Sequence, residues 1–155
     1  MSDLEYKPRG LYFEDIEVGQ SMVTTGRTIT EGDIVTFAGL SGDFNQLHID
    51  AEYAKKGEFG QRVAHGLLVV SITTGLIVQT GLMEGTVHAF RELDWKFSRP
   101  VYIGDTIHAS LTIAETKSLP RIGGGSATAK VTVYNQHDQA VHRGTMVLLV
   151  RGRPA

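Results

Sequence analysis

Apolar and polar residues follow two rhythms along this chain, and the change comes near residue 87. Beyond it, Ile107, Ala109, Leu111 and Ile113 alternate with His108, Ser110 and Thr112, and Val131 and Val133 alternate with Lys130, Thr132 and Tyr134. A period of two places one apolar face on each strand. Strands are predicted over 87–97, 106–116, 126–135 and 140–151, in mostly antiparallel pairs, with a hairpin turn at 136–139 and a mobile loop at 119–125 that carries three consecutive glycines.

Before residue 87 the rhythm is helical. Leu67, Leu68, Val69, Val70, Ile72, Leu76, Ile77 and Val78 cover nearly the whole circumference of a helix, as expected of a central element surrounded by sheet. Upstream, 20–30 reads as a strand, and Thr30-Glu31-Gly32-Asp33 opens a short amphipathic helix. Residues 44–50 have neither period and read as a structured loop. Asp50 then caps a short helix through Lys56, and Gly57 and Gly60 break the chain. One long apolar helix followed by antiparallel strands predicts an α+β fold. The sheet curves around the helix, in a single domain with its core over about residues 13–150.

Composition narrows the function classes. At 155 residues there is room for one ordinary domain, and 41% hydrophobic with 21% charged residues lies in the globular range. A formal net charge of −2, with no Lys/Arg run longer than two, offers no field for a phosphate backbone, so nucleic acid is not expected as a partner. The absence of cysteine excludes disulfides, thiol nucleophiles and thiolate metal sites. The 64–78 run is too short to cross a bilayer and is interrupted by Ser71, Thr73, Thr74 and Gly75, so no membrane is expected. Residues 1–7 lack the cationic start and apolar core of an export signal, which makes the cytoplasm the expected compartment.

Candidate chemistry concentrates in Ser41-Gly42-Asp43-Phe44-Asn45-Gln46-Leu47-His48, which brings a carboxylate, an amide and an imidazole within eight residues. A converging Asp and His can hold one water, the carboxylate accepting a hydrogen bond while the imidazole moves a proton near neutral pH. On spacing alone, ordinary turn chemistry explains the same residues. His65-Gly66 stands at the predicted start of the core helix, where free backbone N–H groups favour developing negative charge. Gly66 is open to two uses, close approach of a ligand or tight packing.

Three segments carry a resemblance: Gly42-Asp43-Phe44-Asn45-Gln46-Leu47-His48, then Ala64-His65-Gly66-Leu67-Leu68, then Phe97-Ser98-Arg99-Pro100-Val101. Together they resemble the MaoC-like dehydratase family, which includes (R)-specific enoyl-CoA hydratases, over about residues 13–150. The resemblance implies a hot-dog fold, a homodimer joined edge to edge (with higher oligomers open), an acyl-CoA thioester as substrate, and no cofactor beyond the coenzyme A that belongs to that substrate. It implies Asp43 and His48 as the catalytic pair that activates water and Gly66 as the backbone donor to the thioester carbonyl. Asn45, His65 and Thr74 are expected on the substrate side, and Asn45 matches a supporting position of the first motif. Gln46 departs from the family pattern, where proline is common, so the loop loses a fixed φ.

Asp43, His48 and His65 could in principle hold a metal, but each already has a role in this reading, and no metal is expected. His88, His108, His137 and His142 receive no role. Arg99, Lys117 and Arg121 are candidates for the phosphates of coenzyme A. A hot-dog thioesterase is the first alternative, although the core helix has no Asp or Glu between Ala64 and Thr80. A non-catalytic acyl-binding or regulatory subunit is the second.

Overall fold

The computed structural model describes residues 9–154, so the expectation drawn from residues 1–7 lies outside the described residues. Helix α4 (Gly66–Gln79) lies against an antiparallel sheet built mainly from β3 (Val87–Phe97), β4 (Thr106–Leu119), β5 (Gly124–Tyr134) and β6 (Ala140–Arg151). The short strands β1 (Ser21–Val23) and β2 (Arg27–Thr28) both pair with β4, giving the order β1-β4-β5-β6-β3 with β2 beside β4. The strand expected over 20–30 is therefore two strands, interrupted where Thr24 turns its hydroxyl to accept from Ala109 N–H.

Alternation sets which face is inward. Ile107, Ala109 and Leu111 on β4 and Ala127, Ala129, Val131 and Val133 on β5 are buried, while their neighbours are more exposed. Ile29, Ile34, Leu68, Val69, Leu76, Val101, Ile107, Val133 and Val141 form one core cluster. Ile77, Ala109, Leu111, Ala129, Val131 and Met146 form a second, and Trp95 packs against both. Full burial of each Val, Leu, Ile or Met side chain among them contributes roughly 1.5–3 kcal/mol.

Helix α4 is not buried all round. Leu67 and Val78 are exposed and share a stripe with Ser71, because one sheet covers only one side of a helix. The edge strand β3 is likewise open, with Phe90, Leu93 and Phe97 between 43% and 54% exposed. The loop expected at 119–125 is instead a tight 3-10 turn (Pro120–Ile122) closed by Gly123 at φ +60°, and Gly124 and Gly125 belong to β5. Those two glycines are needed for packing: a Cβ on Gly125 would meet the Phe13 ring, and one on Gly124 the Val150 carbonyl.

Helix α1 (Glu31–Ser41) begins in a capping box. The Thr30 hydroxyl accepts from Asp33 N–H, and the Asp33 carboxylate accepts from Thr30 N–H at 2.8 Å and from Arg27 at 2.6 Å. It ends at Gly42, whose φ of +78° turns the chain sharply into the motif loop. The 44–50 segment contains a four-residue helix, α2 (Gln46–Ile49), too short to show a period in sequence, followed by α3 (Ala51–Lys55), capped by Asp50 as expected. No helix among the described residues is long and apolar enough to cross a membrane.

Candidate active site

Asp43 is held by its own loop. Its N–H donates to Ser41 Oγ at 3.2 Å, and its carboxylate accepts from Asn45 N–H at 3.3 Å, an arrangement short polar side chains favour in turns. The carboxylate remains solvent-facing. Asn45 caps α2 by accepting from Leu47 N–H at 3.2 Å, so its amide is engaged in shaping the loop. That cap explains how Gln46 stands where proline is common: it is the first residue of α2, where a backbone N–H has no intrahelical partner in any case.

Helix α2 presents His48 inward, 8% exposed. Its Nδ1 lies 2.7 Å from the Val63 carbonyl. A carbonyl only accepts, so Nδ1 carries the proton, and the neutral ring keeps Nε2 as a bare lone pair. A histidine with that tautomer is set up to take a proton from water.

His65 ends the segment leading into α4 and is 2% exposed. Its Nε2 donates to the Asp43 backbone carbonyl at 2.9 Å, and its ring stacks on His48 with centroids 3.8 Å apart and planes 27° apart. Gly66 follows as the first residue of α4, and a Cβ there would lie 2.6 Å from the Phe97 ring. A side chain here would displace the half-exposed Phe97 ring, so close packing against Phe97 favours glycine, the second of the two uses left open by the sequence. Its N–H belongs to the first turn, whose amides have no carbonyl to meet within the helix.

Asp43, His48, His65, Gly66, Phe97 and Arg99 line one open pocket of about 700 Å³. Phe37, Ser98 and His142 are also among its walls. His142 has no assignment from the sequence, yet it is 3% exposed. Its Nδ1 accepts from Trp95 Nε1–H at 3.3 Å, and burial pushes its pKa down to about 4. Nothing in a lone strand histidine announces this, because the burial comes from β3 lying alongside β6. The His88 ring meets the Ile122 carbonyl and the His108 ring stacks on Tyr134, while His137 donates its backbone N–H to Asn135 Oδ1. Lys117 and Arg121 sit at the β4–β5 turn and do not line the pocket.

Thr74 lines a second cavity, of about 190 Å³, between the C-terminal half of α4 and the sheet. Its walls include Ile77, Met83, Phe90, Leu111, Val131 and Met146 and are almost wholly apolar. The Thr74 hydroxyl donates to the Ser71 carbonyl at 2.7 Å, and that of Thr73 to Val69 at 2.8 Å, so both hydroxyls bond back to their own helix.

Asp43, His48 and His65 offer metal-ligand atoms within 4.8 Å of one another. One nitrogen of each imidazole is committed to a backbone carbonyl, His48 Nδ1 to Val63 and His65 Nε2 to Asp43, so only His48 Nε2, His65 Nδ1 and the Asp43 carboxylate are left to bind a metal or move a proton.

Residues 15–136 match the model of the MaoC like domain. An (R)-specific enoyl-CoA hydratase of Rhodospirillum rubrum is 40% identical over 102 residues, 66% of this chain and 69% of that protein. Protein MaoC of Klebsiella aerogenes is 44% identical over 65% of this chain, but the match spans only 30% of that longer protein. A solved monoamine oxidase regulatory protein from Archaeoglobus fulgidus superposes with a TM-score of 0.87 at 41% identity, covering 94% of this chain and 97% of its own. A Mycobacterium tuberculosis protein described as a double hotdog fold aligns with a TM-score of 0.79 at 22% identity, over 94% of this chain and 45% of its own. The sheet wrapped on α4 is the hot-dog fold, and its class is α+β.

Proposed function

The chain belongs to the MaoC-like dehydratase family, and from that premise we propose that it interconverts a trans-2-enoyl thioester and an (R)-3-hydroxyacyl thioester, with Asp43 and His48 activating water. Proteins named as hydratases and dehydratases of acyl thioesters recur among its relatives, which makes a hydro-lyase the family-level activity. The observation that carries the reading is the fixed tautomer of His48. Its Nδ1–H is committed to Val63, so Nε2 is the base, and it shares a pocket with the Asp43 carboxylate and Gly66 N–H.

In the hydration direction, the Asp43 carboxylate accepts one hydrogen bond from water while His48 Nε2 takes its other proton. The water oxygen bonds to Cβ, and the π electrons shift to the thioester oxygen. That oxygen rests on Gly66 N–H at the positive end of α4. Collapse of the enolate, with a proton delivered to Cα from the same pair, completes the addition, and dehydration is the reverse. No metal or separate cofactor enters this scheme. Coenzyme A, as part of the substrate, would meet Arg99 on the pocket wall. The apolar cavity beside Thr74 would take the acyl tail, since Thr74 lies eight residues from Gly66, roughly 12 Å along one helix. The exposed stripe of α4 and the open edge of β3 would be covered by a second copy of the chain.

The test is loss of enoyl absorbance when the protein meets crotonyl-CoA, with Asp43→Asn as control and a free-thiol assay beside it. Loss that requires Asp43 and releases no thiol supports the hydratase, and release of thiol supports the thioesterase. A second reading comes from the regulatory protein it resembles at 41% identity. Inertness toward short, medium and branched enoyl-CoAs, with the fold intact, would favour that non-catalytic role.

A further inference from the structure

His65 touches both members of the proposed catalytic pair, and it does so through two different kinds of contact. Its Nε2–H holds the backbone carbonyl of Asp43 at 2.9 Å, and its ring face lies on that of His48. A third constraint is sequence position: it directly precedes Gly66, so the same residue sets where α4 begins. Phe37 closes the ring in from another side, with centroids 5.0 Å apart.

This ring also has a defect. Donation from Nε2 to a carbonyl leaves Nδ1 as the acceptor in the neutral tautomer, and Nδ1 is buried with no hydrogen-bond partner among the described residues. An unsatisfied buried acceptor is unfavourable for folding, and an apolar ring of similar shape would avoid it. The one hydrogen bond a phenylalanine would forfeit is the part-buried one to the backbone carbonyl of Asp43, a residue that is itself exposed. Stability alone therefore does not account for histidine here.

We propose that His65 is a positioning residue, which locks Asp43 and His48 into register with each other and with Gly66, and which serves turnover although it leaves the fold less stable than an apolar ring would. The inference rests on the reading of Asp43 and His48 as the catalytic pair. Its role is separate from substrate contact, because the one polar atom with a partner is committed within the protein and the other is buried.

Four proteins test it together: wild type, His65→Phe, His65→Gln and Asp43→Asn, each measured for Tm, for kcat and KM on the enoyl thioester, and for amide hydrogen exchange. In His65→Phe, Tm is expected at or above the wild-type value. Its kcat is expected to fall roughly 10–100-fold, the scale of a small misplacement of catalytic groups. KM stays within about twofold, which marks an interaction lost in the transition state and not in binding. His65→Gln carries an amide N–H that can reach the Asp43 carbonyl, and it recovers part of kcat. Exchange in the 43–48 loop quickens in His65→Phe while the sheet is unchanged, a readout that needs no substrate.

The proposal is overturned if His65→Phe keeps wild-type kcat, if it raises KM alone, if its Tm falls, or if loop exchange is unaltered. Asp43→Asn separates the two levels. An inactive Asp43→Asn beside a fully active His65→Phe sinks only the positioning role, whereas an active Asp43→Asn sinks the catalytic assignment beneath it.

Discussion

Asp43 and His48 lie five residues apart, a spacing that turns produce readily. Their significance depends on what their other atoms do. The Val63 carbonyl commits one nitrogen of His48, and the loop amides shape Asp43, so the atoms left for the proposed chemistry are those that remain. Replacing Asp43 by Asn or His48 by Gln is expected to lower kcat by roughly 10²–10⁴-fold, the usual contribution of a positioned acid or base, with little change in Tm for exposed Asp43 and a lower Tm for buried His48, which gives up its bond to Val63. Steady-state rates and a thermal melt on each variant check this. Gly66→Ala makes a different kind of expectation, since the new methyl would lie 2.6 Å from Phe97. Such overpacking destabilises by about 1–3 kcal/mol, and Phe97→Leu in the same chain should restore most of it by removing the opposing ring atoms. A double-mutant cycle in urea reads the coupling, and additivity of the two changes would refute it.

Elements carry the site by where they end. Helix α1 ends at Ser41 and is capped by Gly42, α2 is capped by Asn45 and starts at Gln46, and α4 starts at Gly66, so three termini meet around one pocket. The capping box of Thr30 and Asp33 holds the first of these from its far end. Thr30→Ala should destabilise the protein by about 1 kcal/mol without changing KM, because it loosens a cap remote from the pocket. The strands β3 to β6 and helices α1 and α4 were legible as periodic runs bounded by breakers, and α3 from its Asp50 cap and the glycines after it. What was not legible was α2, which has too few residues to show a period, and the tight β4–β5 turn, whose glycines look like flexibility but serve contact with Phe13 and Val150. The open stripe of α4 was likewise unreadable, since an apolar residue facing outward has the same one-letter code as one facing the sheet.

On the scale of the whole molecule, two titrating groups divide the pH axis. Burial pushes His142 from 6.5 down to about 4, so between these values the unfolded chain binds the proton and the folded one does not. Stability is then greatest above about pH 6.5 and declines as pH falls toward 4, by at most about 3 kcal/mol from this group. His142→Phe should flatten that slope in urea titrations at pH 7 and pH 5; an unchanged slope would show that His142 is not its source. Asp33 acts lower. Burial raises its pKa, but the bonds from Thr30 and Arg27 outweigh this and hold it below 3.8, so its contribution is present above that value and lost only as pH falls further. A second whole-molecule expectation concerns β3. If a second copy covers its edge, Leu93→Lys on the exposed apolar face should shift the protein to a smaller species in sedimentation while leaving the monomer folded.

The fold class, the inward faces of the strands and the chemical identity of Asp43, His48 and Gly66 were determined by sequence alone, because periodicity and residue type are local properties of the chain. Tertiary structure decided the rest. It stacked His65 on His48, fixed both tautomers through the carbonyls of Asp43 and Val63, buried His142 on the pocket wall and reserved Gly66 for Phe97. Each of these joins residues 15 or more positions apart in the chain. They exist only once the sheet has closed on α4, where hydrogen-bond partners and excluded volume are set by neighbours in space and not by neighbours in sequence.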